Sequence, residues 1–304
     1  MTKCEIKNLA ASVRERLLEK ARESNRPFQE ILQYYAMERF LYRLSRSPHA
    51  DKFILKGALM LIVWNAPQTR PTLDIDLLAK TNNDLVPIVD KIKAICIQEA
   101  EPDGIEFDIA SIIGKRIKED ADYEGVRVKF KGSLDRARIT MQIDIGFGDV
   151  VIPAPSMVDY PTILDFPKPS LKGYSKESLV AEKFEAMVKL GILNSRLKDF
   201  YDLYLLCRQF SFDEKILADA IHNTFITRGT DVVVNPIAFS DEFAANSDKI
   251  AQWRAFIKKN RIIGAPENLK VVIESIRNFL LPVTKALLKN TALDQKWNHS
   301  EKWK

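Results

Sequence analysis

The segment Thr72-Leu73-Asp74-Ile75-Asp76-Leu77 alternates polar and apolar side chains with a period of two, which predicts a strand over Thr72–Leu78. On a strand, residues two apart share a face and sit about 6.5 Å from one another. Leu73, Ile75 and Leu77 are therefore expected in the core, with Thr72, Asp74 and Asp76 on the opposite face. Two carboxylates that close repel, and one is driven towards protonation unless a cation lies between them. Magnesium suits a site made of a few carboxylates and substrate phosphates. Standing alone, such a pair reads equally as a strand end facing water.

Further along, Met141-Gln142-Ile143-Asp144-Ile145-Gly146 repeats the pattern, sending Met141, Ile143 and Ile145 one way and Gln142 and Asp144 the other. Neighbouring strands lie about 4.8 Å apart, so Asp144 can face the Asp74/Asp76 pair. Three carboxylates could then hold two magnesium ions roughly 4 Å apart, the arrangement used for in-line phosphoryl displacement. One ion would position a nucleoside triphosphate and the other would lower the pKa of an attacking hydroxyl, with Asp144 on the base side. The alternative for Asp144 is a turn-proximal aspartate ahead of Gly146 and Gly148.

Upstream, Lys56-Gly57-Ala58 separates the apolar strand Phe53–Leu55 from the helical run Leu59–Trp64. A small residue at such a turn lets a triphosphate approach the backbone, although a lone glycine is more often a simple turn. Arg70 and Thr72 flank the same segment and can contact phosphate or orient Asp74; Arg70 reads equally as a solvated loop residue.

Around this centre the chain changes texture. Residues 1–50 read as helices, with Ile31, Leu32, Tyr35, Phe40 and Leu44 forming an apolar stripe within Phe28–Ser45. From 51 to 165 short strands dominate: Ile105–Ile109, Val126–Lys131 and Arg136–Phe147 join those already named, with a helix at Leu85–Glu99. Pro153, Pro155, Pro161, Pro167 and Pro169 mark a surface connection, and helical periodicity resumes from about 175 to Lys289. Two domains are expected, 1–165 and 166–304, with a frayed polar tail from Thr291. The fold class is α+β.

Within Leu179–Leu190 the stripe Leu179, Val180, Phe184, Met187 and Val188 contains Lys183, a cation aimed inward. Such a lysine needs a partner, a triphosphate or an aspartate, unless it snorkels along the stripe. Asp199 and Asp202 share a face of the next helix; Asp199 can also complement the helix N-terminus, which Ser195 can cap. Arg127, Lys129 and Lys131 alternate on one strand, and Arg136 and Arg138 on the next, on the face of Asp144. A hairpin turn at Gly132–Asp135 would set Lys131 against Arg136. Like charges so placed suit a phosphate backbone, or merely a solvated face.

The 304 residues are 46% hydrophobic and 29% charged, with net charge +5 and pI near 8.9, an ordinary globular composition with a mild basic bias. Cys4, Cys96 and Cys207 give neither a disulfide framework nor zinc spacing, and His49, His222 and His299 lie away from every motif. With no apolar leader and no run long enough to span a bilayer, a cytoplasmic protein without membrane contact is expected.

Taken together, Phe53-Ile54-Leu55-Lys56-Gly57-Ala58, Arg70-Pro71-Thr72-Leu73-Asp74-Ile75-Asp76, Gln142–Gly146, Val180-Ala181-Glu182-Lys183-Phe184-Glu185-Ala186-Met187 and Arg196–Leu203 resemble the AbiEii/AbiGii nucleotidyltransferase toxin family. The resemblance runs from about 53 to 206. It implies a polymerase-β-like nucleotidyltransferase core with a mixed sheet, N-terminal helices and a helical C-terminal domain. It further implies a magnesium-dependent transfer of NMP from an NTP to an RNA acceptor such as tRNA, and an AbiEi-type antitoxin in a toxin–antitoxin or phage-defence system. Residue by residue, Gly57 matches the first-motif glycine, Asp74 and Asp76 the metal-binding aspartates, and Asp144 the second-motif aspartate. Lys183 matches the third-motif lysine, and Asp199 or Asp202 its later acid. Gly57-Ala58 stands where such enzymes usually carry Gly-Ser or Gly-Gly, so a hydroxyl contact to phosphate is missing. Two other readings remain: a non-catalytic nucleotide- or RNA-binding module on a degenerate transferase fold, and a metal-dependent nuclease using the same carboxylates.

Overall fold

The computed structural model describes residues 8–66, 70–120, 123–291, 294–298 and 302–304; Cys4 and His299 lie outside them. Its contacts form two units, described in turn. The first takes in the described residues of Met1–Trp64, Pro71–Gly148 and Ser156–Gly173, and the second those of Asn65–Arg70, Asp149–Pro155 and Tyr174–Lys304.

In the first unit, α1 (Leu9–Glu23) and α2 (Phe28–Arg46) precede β1 (Phe53–Lys56), the short α3 (Leu59–Val63), β2 (Asp74–Ala79) and α4 (Leu85–Cys96). The strands β3 (Ile105–Asp120), β4 (Tyr123–Leu134), β5 (Ala137–Phe147), β6 (Ser156–Asp159) and β7 (Ser170–Gly173) complete it. The seven strands form one sheet in the order β3-β4-β5-β2-β1-β7-β6, mixed because β2/β5 and β1/β7 are parallel and the other pairs antiparallel. The predicted stripe of α2 is core, and the helix is in fact buried almost all round, polar residues included. Phe40 packs on Phe107 and Phe130, and Gly114 of β3 leaves room for Val89 of α4. Helices thus cover the face carrying Val126, Val128, Phe130, Met141 and Ile143. Three charges of α2 are paired inside: Arg43 forks onto Asp103 at 2.7 and 3.1 Å, and Glu38 lies 2.8 Å from Arg39 while accepting the Ile163 N–H at 2.7 Å.

Several expectations need correcting. Leu73 is 63% exposed because β2 starts at Asp74, two residues after the expected Thr72; Ile75 and Leu77 are buried as expected. β3 and β4 extend well beyond the short strands expected, as a long hairpin. Its partner hairpin turns tightly, Leu134 facing Ala137, so Lys131 pairs with Thr140 rather than Arg136. The positive φ of Asp135 (51°) is what closes that turn. The proline-rich connection is not purely surface loop: the prolines flank rather than occupy β6 and β7, leaving both free to pair.

The second unit is helical: α5 (Lys176–Leu190), α6 (Leu197–Gln209), the two-residue β8 (Phe212–Asp213), α7 (Glu214–Thr227), α8 (Asp241–Ala245), α9 (Ser247–Asn260) and α10 (Leu269–Leu288). The tail expected to fray instead supplies β9 (Lys296–Asn298) and β10 (Lys302–Trp303), which form a small sheet with β8. Aromatic burial holds it: Trp297 is 1% exposed, packs on Phe279 and donates its indole N–H to the Cys207 carbonyl at 2.6 Å. Ser195 does not cap α6, whose N-cap position is Arg196 and has no side-chain cap bond; Asn194 Oδ1 accepts the Arg196 N–H at 2.8 Å ahead of the helix. No described helix is long and apolar enough to cross a membrane. Burial pushes the thiols of Cys96 and Cys207 up to about 12, which leaves them inert.

Candidate active site

The three acidic residues of the sheet stand on neighbouring positions because β2 and β5 are parallel neighbours in register. Asp74 lies beside Gln142 and Asp76 beside Asp144. Registered partners on adjacent strands point to the same side, so all three carboxylates occupy one face while Ile75, Leu77, Ile143 and Ile145 fill the other. Lys56 of β1 is registered with Asp76 and extends this polar face by one strand.

Each carboxylate has a distinct setting. Asp74 Oδ1 accepts the Leu73 N–H at 3.1 Å and the Thr72 hydroxyl at 3.4 Å. Thr72 is held in turn by its own N–H, which donates to the Tyr34 hydroxyl at 3.1 Å. Asp76 lies against the turn after β1, where Gly57 has φ +70° and a Cβ would sit 2.0 Å from Asp76 Oδ2. Only glycine allows both that conformation and that approach. Asp144 is 8% exposed and is gripped by Arg127, whose Nε and Nη2 donate to its two oxygens at 2.7 Å each. Gln142 Nε2 reaches Asp74 Oδ2 at 3.4 Å and Asp144 Oδ2 at 3.3 Å, bridging the two.

This donor set consists of oxygens alone, with Asp74 and Asp76 half-buried, and fits a hard divalent cation such as magnesium. Among the described residues, however, no three acidic, histidine or cysteine side chains already converge as a metal-holding group. At Asp144 the Arg127 fork holds both oxygens. Each of those oxygens keeps a second lone pair, so a metal at Asp144 would either share them with Arg127 or displace it.

The second unit gathers the remaining predicted residues into its own cluster. Lys183 of α5 lies 2.7 Å from Asp199 and 2.8 Å from Asp202 of α6. Arg70 forks onto Asp202 with two bonds of 2.9 Å. Two cations thus meet two anions, all nearly buried, with Asp202 at 0% exposure. Burial alone would lower the Lys183 pKa, but Asp199 and Asp202 outweigh it and hold the amine up at about 12. Burial would likewise raise Asp202, but Arg70 and Lys183 pull it down to about 2. The partner that the inward lysine demanded is therefore a pair of aspartates. Arg70, expected to contact phosphate, to orient Asp74 or to stand in solvent, is buried and joins this cluster.

Sequence reading missed two features. Arg127 was noted for its charge, but its grip on Asp144 follows only from the β4–β5 register, Arg127 opposite Asp144. A second buried cluster also went unseen: Arg228 meets Asp149 at 2.9 Å, Glu185 at 3.0 Å and Glu182 at 3.5 Å. Burial opposes the charge of Arg228, but the three acids outweigh it and raise its pKa. Glu182 and Glu185 lie three apart on α5, a spacing that signals a shared face but not its partner.

Comparison with curated proteins finds no match. Among solved structures, a candidate nucleotidyltransferase from H. pylori is 16% identical, with 86% of this chain and 97% of that one covered and a TM-score of 0.48. JHP933 from Helicobacter pylori is 13% identical, with 86% and 94% covered and the same TM-score of 0.48. The sequence model described as nucleotidyl transferase AbiEii toxin, type IV TA system, matches residues 39–274. That match spans well over half of the chain and takes in both the acidic face of the sheet and the Lys183 cluster. The chain therefore belongs to the AbiEii family of nucleotidyl transferase toxins of type IV toxin–antitoxin systems.

Proposed function

We propose that this nucleotidyltransferase transfers NMP from an NTP to an RNA acceptor such as tRNA, with magnesium held by Asp74, Asp76 and Asp144. The observation that carries the reading is the register of two parallel strands, which sets Asp76 beside Asp144 with Asp74 two residues before Asp76 on the same face. Family membership supplies the coarser terms, an NTP substrate and an antitoxin partner. The finer ones, an AbiEi-type antitoxin, phage defence and action in the cytoplasm, belong to the proposal.

Divalent metal bound there would neutralise triphosphate charge and lower the pKa of the attacking RNA hydroxyl. The rest is work for the chain's own groups. Thr72 and the Leu73 N–H fix the orientation of Asp74. Gly57 leaves Asp76 room beside the turn, and Lys56, Gly57 and Ala58 line the approach for triphosphate. Arg127, released from Asp144, offers its fork to phosphate. Lys183, Asp199 and Asp202 enter as the resemblance assigns them, with one condition: Lys183 is already neutralised, so acting on triphosphate requires it to exchange an aspartate for phosphate.

One observation favours a second reading. Arg127 binds both oxygens of Asp144 and Gln142 reaches one of them, as expected of a binding module whose carboxylates have become structural. Incubating the protein with labelled RNA, magnesium and each NTP separates the two. Lengthened RNA that Asp76→Asn abolishes is the expected result. Failure to lengthen any RNA with any of the four NTPs overturns catalysis, and shortened RNA points to a nuclease. Asp74→Asn should also abolish toxicity in cells; unchanged toxicity and RNA affinity would leave the binding module.

A further inference from the structure

On the side of the carboxylates, the sheet continues into an open basic surface. Cross-strand register fixes its members. Arg127 stands opposite Asp144, Lys129 opposite Gln142 and Lys131 opposite Thr140, while Lys115 of β3 stands opposite Arg127. These pairs all lie on the carboxylate side, because α2 and α4 pack against the other. Lys115, Lys129 and Lys131 are exposed, as are Thr140 and Arg138. Ile113, registered with Lys129, is 68% exposed, so nothing in the described chain covers this area. None of these three lysines makes an ion pair with a described residue, unlike Arg127, which is held by Asp144. Lys115 stands directly opposite Arg127, a like-charge pairing that is mildly destabilising, whereas Lys131 has Asp108 as its register partner on β3. A polyanion laid along the exposed lysines would neutralise them.

Chain geometry gives that polyanion a direction. Alternate residues on β4 repeat about every 6.5–7 Å, so the row from Arg127 to Lys131 spans roughly 13 Å. It leads away from the Asp144 carboxylate, with Gln142, the bridge between Asp74 and Asp144, as its neighbour on β5. We propose that Lys115, Lys129 and Lys131 form the track on which the phosphate backbone of the RNA acceptor lies, leading its end to the carboxylates. This rests on the transferase reading above and adds where the acceptor binds. Contacts of this kind are to phosphate, so the track sets position and affinity while carrying no sequence preference.

The test compares the full-length protein with two triple variants of equal charge loss, K115A/K129A/K131A on the track and K258A/K259A/K289A on exposed lysines of the helical unit. Binding to a fluorescent tRNA is measured against salt concentration, and lengthening of the same RNA is followed in parallel. Each phosphate contact to a single strand contributes a slope of about −0.7 in log K against log salt, so removing three should flatten it by about 2. The track variant should lose roughly tenfold or more in RNA affinity at low salt, with the control variant unchanged. Equal loss in both variants, or in neither, overturns the track while wild-type RNA lengthening leaves the transferase reading standing. A track variant that keeps RNA affinity but loses an acidic protein partner overturns it too. If the wild type neither binds nor lengthens RNA, the acceptor reading and the track fall together. Circular dichroism confirms that each variant is folded, so unchanged RNA binding counts against the proposal.

Discussion

Asp76 can lie against the turn after β1 because residue 57 has no Cβ, and because its φ of +70° belongs to a region L side chains avoid. Gly57→Ala must push Asp76 away or distort the turn. Expected outcomes are a stability loss of about 1–3 kcal/mol by urea unfolding and at least a tenfold drop in nucleotide incorporation; wild-type rates would show that Asp76 tolerates displacement. Glu38 offers a different residue-scale test. Burial raises its pKa to about 7 in spite of Arg39, against 4.5 for an ordinary glutamate. A raised folded-state pKa means the contribution is fully present below pH 4.5 and lost as pH rises through 7. Stability should thus fall by about 3 kcal/mol across that window, and Glu38→Gln should remove the slope from urea midpoints measured between pH 4.5 and 8. Neither feature was fully legible in the sequence. Gly57 was visible as a small residue at a turn, but its contact with a residue nineteen positions away was not, and Glu38 sat unnoticed in an apolar stripe.

Between α5 and α6, Lys183, Asp199, Asp202 and Arg70 form a neutral buried cluster whose members depend on one another. Removing one charge strands the others. Asp202→Ala leaves both Arg70 and Lys183 short of a partner and should cost about 3–5 kcal/mol, read as a shift in denaturation midpoint; a shift under 1 kcal/mol would mean that water reaches the cluster. The signs of its pKa shifts limit its pH response. Asp202, lowered to about 2, contributes stability above pH 3.8 that is lost only as pH falls towards 2. Lys183, raised to about 12, contributes below pH 10.5 and loses it only above. Between those limits neither Asp202 nor Lys183 changes its charge. At this scale much was legible: period-two alternation marked β2 and β5, an apolar run marked β1, and helical spacing put Asp199 and Asp202 on one face. What was not legible was pairing. Arg70 and Asp202 are far apart in the chain, and the one-sided turn at Asp135 shifted Lys131 from Arg136 to Thr140.

Across the whole chain, composition announced a globular protein, the change from helical to alternating periodicity announced an α+β one, and motif order, more than any one motif, announced its family. The C-terminal tail escaped because its polar composition hides two tryptophans; Trp297 and Trp303 pack against Phe279 and make the last residues part of the second unit. The acidic face has a consequence for the stability of the molecule as a whole. A ligand that binds only the folded protein stabilises it by about 2.7 kcal/mol at a hundred times its dissociation constant. For units of 150 residues or so, each kcal/mol moves the melting temperature by roughly 2–4 °C. Saturating NTP with magnesium should therefore raise the transition in which the seven-stranded sheet melts by about 5–10 °C. Asp76→Asn should abolish the shift, because it removes a carboxylate from the donor set. Arg127→Ala separates two roles for that arginine. If its fork competes with metal for Asp144, the variant binds magnesium alone more tightly than the wild type, seen as a larger shift at low magnesium without nucleotide. If the fork is instead what holds Asp144 in place, that shift shrinks. Calorimetry of the two variants beside the wild type decides between a latch that opens for metal and a brace that must stay closed.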